Sequence, residues 1–453
     1  MLEPVIFKAN DIRGVVSGEN PEWDIAGARA LGAAYAGLIE ETSIVVSHDM
    51  RASGPELSAA FIEGVTSGGI SVVEAGLAST DELWFASGFL DCPGVQFTAS
   101  HNPASYNGVK FCRRQAQPVE PSFLTDLAAS ARAIDAGQAE PPRAEVAGTV
   151  TQRDIMPDYV AYLHKLVDLT GLRPLTVVVD AGNGMAGLTA PAVLEPLGVT
   201  VIGLYLDLDG SFPNHQPNPL EPANLVDAQE AVRRHGADLA LVFDGDADRC
   251  FVIDERGEVV PPSAVTAMIA VGELEKEPHG TIVVNTITSN AVREIVAEHG
   301  GTVVESRVGH TYVKALMAEH HAIFGGEHSA HYYFRDFWGA DTGMLAGLHV
   351  LAQAGRSDQP LSQMVAQFTR YAASGEINST VVDPQASMRQ VADAFAGRGS
   401  AQWGDGVKIV GPTWWVNLRP SNTEPLLRLN VEASSPQEMA ALRDEVLALV
   451  RGS

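Results

Sequence analysis

Cysteine is scarce in this chain. Cys92, Cys112 and Cys250 are odd in number, widely scattered and form no C-x-x-C pair. That excludes a disulfide framework or a thiolate metal site and indicates free thiols in a reducing compartment. Cations are scarce too: 30 Lys and Arg face 56 Asp and Glu, a formal net charge of −26. Nucleic acid and anionic membrane surfaces both require a basic face, so neither is an expected partner. No apolar run approaches the length that spans a bilayer. The stretch "MLEPVIFKAND" lacks the basic-then-apolar order of a secretory signal. A cytoplasmic protein is expected, in which the sequon at Asn378-Ser379-Thr380 carries no weight. Against so acidic a background, any cluster of basic residues stands out.

What is present is enough for several cores. The 453 residues are 45% hydrophobic and 19% charged, an ordinary globular balance that length divides into about three domains. Strand-like runs at 44–49, 70–76 and "GVQFTAS" alternate with a helical pattern at 54–67, the signature of βαβ units and a largely parallel sheet. A polar stretch at 133–148 reads as an exposed connection. The alternation restarts at "LTVVVDAGNGMAG" (175–187) and again at "GTIVVNTITSN" (280–290). The tail differs: its pattern β-α-β-β-β-α predicts an antiparallel sheet with helices on one side. Three α/β domains with mixed, largely parallel sheets and one smaller α+β domain are expected, with boundaries near 150, 254 and 372.

Two loops carry the sharpest chemistry. In "VQFTASHNPASYNGVKF" a strand ends at Thr98, and Pro103 stops any regular element, so Ser100 is predicted on a turn. The G-x-S-x-G elbow of acyl-transfer enzymes is absent. In "LALVFDGDADRCFVID" an apolar strand is followed by Asp244, Asp246 and Asp248. Three carboxylates held together call for a bound cation, and an all-oxygen set favours Mg²⁺ or Ca²⁺. An EF-hand would place Glu255 at its twelfth position, but Arg249 stands where that loop needs glycine and both flanks are strand-like. A solvated acidic turn is the bland alternative; the apolar flanks speak against it.

Other stretches are more ambiguous. Gly182-Asn183-Gly184-Met185-Ala186-Gly187 matches G-x-G-x-x-G, with Asp207 about twenty residues on. It is either a dinucleotide site or a tight strand-to-helix turn. "NLRPSNTEPLLRLNVEA" offers Arg419, Ser421, Asn422, Thr423 and, on the next strand, Arg428. It is a phosphate cradle or an ordinary polar turn. Arg307, His310 and Lys314 lie on another strand-to-helix connection. Glu327, His328 and His331 suggest zinc, but no H-E-x-x-H helix contains them.

Taken together, "DIRG" (11–14), "TASHNP" (98–103), "DGDADR" (244–249), "GEHSAH" (326–331) and "RPSNTEP" (419–425) resemble, in order and along the whole chain, the α-D-phosphohexomutase family in its phosphomannomutase/phosphoglucomutase branch. The resemblance implies four domains around a central cleft. It implies that Ser100 carries a phosphoryl group between a hexose monophosphate and its bisphosphate. Mg²⁺ would be held by Asp244, Asp246, Asp248 and an oxygen of the phosphoserine, with a hexose 1,6-bisphosphate as activator. "GEHSAH" resembles the sugar-reading loop, through Glu327 and Ser329, and "RPSNT" the phosphate-binding loop. Phosphoryl transfer needs positioning and charge neutralisation, which Mg²⁺, Arg13 and Arg249 supply around Ser100. His101, Lys110 and His331 are candidates to shuttle the sugar hydroxyl proton. Reversing a hexopyranose end for end exchanges its 3- and 4-hydroxyls, so a loop reading those two serves both orientations and leaves C2 loosely read.

The chain departs from the family pattern at Asn10, Ile287, Ala330 and Pro420. The substrates expected are small hexose phosphates of mannose and glucose, acted on by a monomer or a dimer. Phosphoglucosamine mutase is the near alternative. A phosphoserine-type sugar phosphatase is the rival of another class, but a hydrolase has no use for a second phosphate clamp. A non-catalytic sugar-phosphate or Ca²⁺-binding protein has no need of Ser100, three aspartates and Arg249 together.

Overall fold

The computed structural model describes residues 1–120, 122–420 and 426–452. It divides into two compact units, Met1–Val260 with Ser329–Ser362, and Pro261–His328 with the chain from Gln363 onward.

In the first unit, a six-stranded sheet runs Ile12–Val15, Tyr106–Cys112, Gly94–Phe97, Ser43–His48, Ser71–Leu77, Val150–Gln152. Tyr106–Cys112 runs antiparallel to both of its neighbours, and the remaining pairs are parallel. Gly94–Phe97 is wholly buried and Ser43–His48 buried along its middle. This is why both read as continuous apolar runs and not as alternating ones. The helix predicted over 54–67 spans Gly54–Ser67 and packs Leu57, Phe61 and Val65 into the same core as Val46, Val95 and Phe97.

A second sheet in this unit runs Val259–Val260, Cys250–Asp254, Leu239–Phe243, Thr176–Asp180, Thr200–Leu204. Its strand Leu239–Phe243 is buried on both faces. The hairpin to Val259–Val260 pairs with Val252 and Ile253, beyond the boundary expected at 254; two residues are too short a strand to show a period. In both sheets the candidate loops leave the carboxyl ends of central strands, the place where open α/β sheets bind ligands.

The dinucleotide-like turn proves to be a packing device. A Cβ on Gly184 would lie 2.6 Å from the carbonyl of Gly245, and one on Gly187 2.0 Å from that of Leu206. Met185 N donates to Gly245 O at 2.9 Å. Gly184 brings this turn against the 244–249 loop and Gly187 brings it against Leu206, and the Met185 amide at the start of the helix is already bonded.

In the second unit, Thr302–Ser306, Thr281–Asn285 and Phe324–Gly326 form parallel pairs. The C-terminal sheet is antiparallel: Ala372–Ala373, Leu426–Ala433, Trp414–Pro420, Val407–Val410, Ser400–Trp403, with Ile377–Thr380 also on Leu426–Ala433. Its apolar face, including Ile409, Val416, Leu418, Leu429 and Val431, shares a core with Met388, Val391, Leu442 and Val446 of its two long helices. The strand Ser400–Trp403 was not expected from the sequence; it lies at the sheet edge with every residue exposed, so it shows no apolar alternation.

Candidate active site

The strand Gly94–Phe97 delivers Thr98, Ala99 and Ser100 into a turn. Ser100 sits at φ 48°, in the left-handed region that side chains other than glycine rarely adopt. Ser100 N donates to Thr98 Oγ1 at 2.9 Å. The Ser100 hydroxyl donates to Asp244 Oδ2 at 2.9 Å and accepts from Arg249 Nη2 at 3.1 Å. The serine, an acidic loop 144 residues away in sequence and its arginine therefore share one buried site.

Asp244, Asp246 and Asp248 offer one carboxylate oxygen each within 4.8 Å of one another. All three are buried. Arg249 Nε and Nη2 donate to Asp244 Oδ2 at 2.9 and 2.7 Å. Lys110 Nζ bridges Asp246 Oδ2 and Asp248 Oδ2, 2.6 Å from each. Yet Asp246 Oδ1 and Asp248 Oδ1 are buried without a hydrogen-bond partner. Orphaned anionic oxygens at the core of a carboxylate cluster fit a hard divalent cation. The rival twelve-residue loop fails: Glu255 accepts from Ser362 N at 3.0 Å and from its hydroxyl, and strands flank the aspartates.

Electrostatics sort these groups by burial and neighbours. Burial raises the Asp244 carboxyl to about 7, against Arg249, with the other two aspartates adding to the rise. Burial also works against charge on Asp246, but Lys110 and Thr80 outweigh it and hold it well below the carboxylate range. Burial would lower Lys110, yet Asp246 and Asp248 raise it strongly. His101 is driven well below its usual value by burial and by Arg249 and Arg13. It is a neutral ring whose Nδ1 accepts from Arg249.

The remaining residues predicted from the sequence take definite places. Arg13 Nε pairs with Asp11 at 2.8 Å and its Nη1 reaches Asn102 Oδ1 at 3.0 Å, which ties it to the serine loop. His331 lies opposite Arg249 in an isolated bridge, with Nε2 3.7 Å from Asp248 Oδ1 and Nδ1 2.8 Å from the Ser329 hydroxyl. In the second unit, Glu327 is buried and accepts from Asn285 Nδ2 and Gly309 N, each at 3.2 Å. His310 begins the helix His310–Glu319, and Arg307 lies exposed just before it. Glu327 and His328 belong to neither metal-competent group among the described residues. Arg419 and Arg428 are directly opposed across two strands, and both meet Glu376, at 2.6 and 3.4 Å. Ser421, Asn422 and Thr423 lie outside the described residues.

Sequence reasoning missed several contributors. Thr80, at the start of a helix, donates to Asp246 Oδ2 at 2.6 Å. Asp341 joins Asp248 and His331 in a second group of mutually close ligand atoms. Glu376 faces the two arginines. None carries a local motif. Arg51 is different: "HDMR" follows a strand at the same sheet end as Ser100, which is a usable signal.

The chain matches the profiles described as phosphoglucomutase/phosphomannomutase alpha/beta/alpha domains I, II and III and C-terminal domain, over residues 4–138, 157–257, 261–371 and 376–449. It is 38% identical to "Phosphohexose mutases" of Xanthomonas campestris, covering 98% of this chain and 99% of the relative. It is 37% identical to a phosphomannomutase of Salmonella montevideo, covering 98% of each. A crystal structure of a phosphoglucomutase/phosphomannomutase family protein from Burkholderia thailandensis superposes with a TM-score of 0.89 at 30% identity, covering 100% of this chain and 98% of that one.

Proposed function

Because the chain belongs to the phosphoglucomutase/phosphomannomutase family, we propose that it interconverts the 1- and 6-phosphates of mannose and glucose through a phosphoserine at Ser100. The observation that carries this reading is the Ser100 hydroxyl held between Asp244 and Arg249 beside a carboxylate cluster with orphaned oxygens.

In the forward half-reaction a sugar hydroxyl oxygen bonds to the phosphorus, the bond from phosphorus to Ser100 Oγ breaks, and a hexose 1,6-bisphosphate results. The reverse half returns the other phosphoryl group to Ser100. Arg249 Nη2 already donates to the oxygen that leaves, so its charge is in place where negative charge grows. Asp244, Asp246 and Asp248 would hold Mg²⁺, which when bound neutralises charge on the transferring group. Lys110, kept protonated by two aspartates, serves as fixed charge and is unsuited to accept a proton. The neutral His101 is committed through Nδ1 to Arg249. His331, with Nε2 facing the acidic loop, is the group we assign to the sugar hydroxyl proton. Glu327 and Ser329 read the sugar hydroxyls. Arg419 and Arg428, with Ser421, Asn422 and Thr423, take the phosphate that is not being transferred.

The test is an assay of purified protein with mannose 1-phosphate, glucose 1-phosphate and glucosamine 1-phosphate, Mg²⁺ and a trace of hexose 1,6-bisphosphate. Conversion of the first two sugars is expected, without accumulation of inorganic phosphate. Preference for the amino sugar would move the chain to the near alternative. Stoichiometric phosphate release would make it a phosphatase.

A further inference from the structure

Arg51 lies outside the five stretches that carry the family resemblance. It follows Asp49 at the end of the strand Ser43–His48, and it is 1% exposed. Its Nε donates to Asp49 Oδ2 at 3.2 Å. Nη1 donates to the carbonyls of Pro103 and Tyr106 at 2.8 and 3.0 Å. Nη2 donates to those of Ser100 and Asn102 at 2.8 and 2.7 Å. A guanidinium has five N–H donors in a planar fork, and here all five are used. Four of them end on the short segment from Ser100 to Tyr106, whose first carbonyl belongs to Ser100 itself. The Phe212 ring covers the guanidinium, its centroid 5.1 Å away, and Asp49 Oδ1 fixes the Arg51 backbone at 2.9 Å.

We propose that Arg51 is a positioning residue for phosphoryl transfer: it gathers the carbonyls of residues 100–106 and thereby holds Ser100 in its left-handed conformation, with Oγ on Asp244 and Arg249. The inference rests on the reading of Ser100 as phosphoryl carrier. The physical reason is the strain at Ser100. A serine at φ 48° relaxes toward ordinary backbone angles unless its surroundings over-determine it. Drawing its carbonyl toward Arg51 orients the peptide and leaves Oγ facing the acidic loop. Lysine keeps the charge but offers a point donor that cannot span four carbonyls. The loop would then lose register while the charge stays. A nucleophile misplaced by about 1 Å can lose about 10²-fold in rate.

The experiment compares wild type, Arg51→Lys and Asp49→Asn. Melting temperature and circular dichroism report folding. Steady-state kinetics with mannose 1-phosphate at saturating glucose 1,6-bisphosphate report kcat and KM. Intact mass reports Ser100 phosphorylation after incubation with the bisphosphate. The expected result is folded variants with kcat lowered about 10- to 100-fold, KM within about threefold of wild type, and slower phosphorylation of Ser100. A folded variant with near wild-type kcat and phosphorylation rate would overturn the proposal. If Arg51→Lys does not fold, Asp49→Asn decides alone; two unfolded variants would assign Arg51 to fold stability and overturn the positioning role. A wild-type chain with no mutase activity would count against the preceding reading instead, and the mass readout would still score Arg51.

Discussion

At the scale of single residues, the site is a problem of buried charge. Ser100 itself gives the simplest prediction. Ser100→Ala is expected to lower turnover by more than about 10³-fold, as loss of a covalent carrier does, with an unchanged circular dichroism spectrum; retained turnover of a few per cent would remove it from that role. Lys110 gives a sharper one. Its ammonium is the direct counter-charge of Asp246 and Asp248. Removing one partner of a buried pair costs about 3–5 kcal/mol, because the other is left uncompensated. Lys110→Met is therefore expected to melt much earlier than wild type in chelator and to regain part of the loss in Mg²⁺, since the cation replaces the missing charge. Calorimetry in both conditions checks this. An equal loss with and without magnesium would argue against a cation among these carboxylates.

Elements matter through their ends and their close approaches. The turn 181–187 buttresses the acidic loop because Gly184 and Gly245 touch backbone to backbone. Gly184→Ala inserts a Cβ 2.6 Å from a carbonyl that cannot swing aside. A loss of about 1–3 kcal/mol is expected, together with weaker Mg²⁺ binding measured by titration calorimetry. Unchanged metal affinity would show that the turn does not govern the loop. The same turn is held from outside by His215, whose Nε2 lies 3.1 Å from Asp180 Oδ1. Burial opposes charge on His215, but the Asp180 carboxylate outweighs it and raises the ring above its ordinary 6.5. A raised histidine stabilises fully below its unfolded value and loses that contribution as pH rises through its folded value. The melting-temperature gap between wild type and His215→Gln should thus be widest near pH 6 and close toward about pH 9. A gap independent of pH would mean that the pair is not ionic.

For the whole molecule, the relevant quantity is the net charge of −26 on a protein proposed to bind phosphates. Cations must be spent where they count. Arg419 and Arg428 face each other across two strands, a repulsive arrangement that Glu376 offsets. On the proposed reading, a phosphate dianion would compete with Glu376 for the same forks. Each charge-assisted hydrogen bond contributes about 1.5–3 kcal/mol, and 1.4 kcal/mol is tenfold. Arg419→Ala is expected to raise KM for hexose phosphate about ten- to a hundredfold and to increase the requirement for added hexose 1,6-bisphosphate, because more intermediate escapes. Steady-state kinetics with and without added bisphosphate measure both effects. Unchanged values would place the non-transferred phosphate elsewhere.

The sequence by itself determined the α/β alternation, the antiparallel C-terminal sheet, Ser100 on its turn and the Asp244-Asp246-Asp248 loop. These are local features: buried parallel strands read as apolar runs, and carboxylates two residues apart on one loop need no distant partner to be recognised. It left Gly182–Gly187 open between a dinucleotide site and a tight strand-to-helix turn, and only the packing against Gly245 and Leu206 showed those glycines to be spacers. Tertiary structure alone decided which distant groups meet. Thr80 reaches Asp246 from 166 residues away, Lys110 from 136, and Arg51 holds carbonyls 49 to 55 residues downstream. It also decided protonation: Lys110 and His101 are equally plausible proton carriers as letters, and burial between particular charges made one a fixed cation and the other a neutral acceptor. Neither burial nor neighbouring charge is a property of a residue's place in the chain; both arise when the chain has folded.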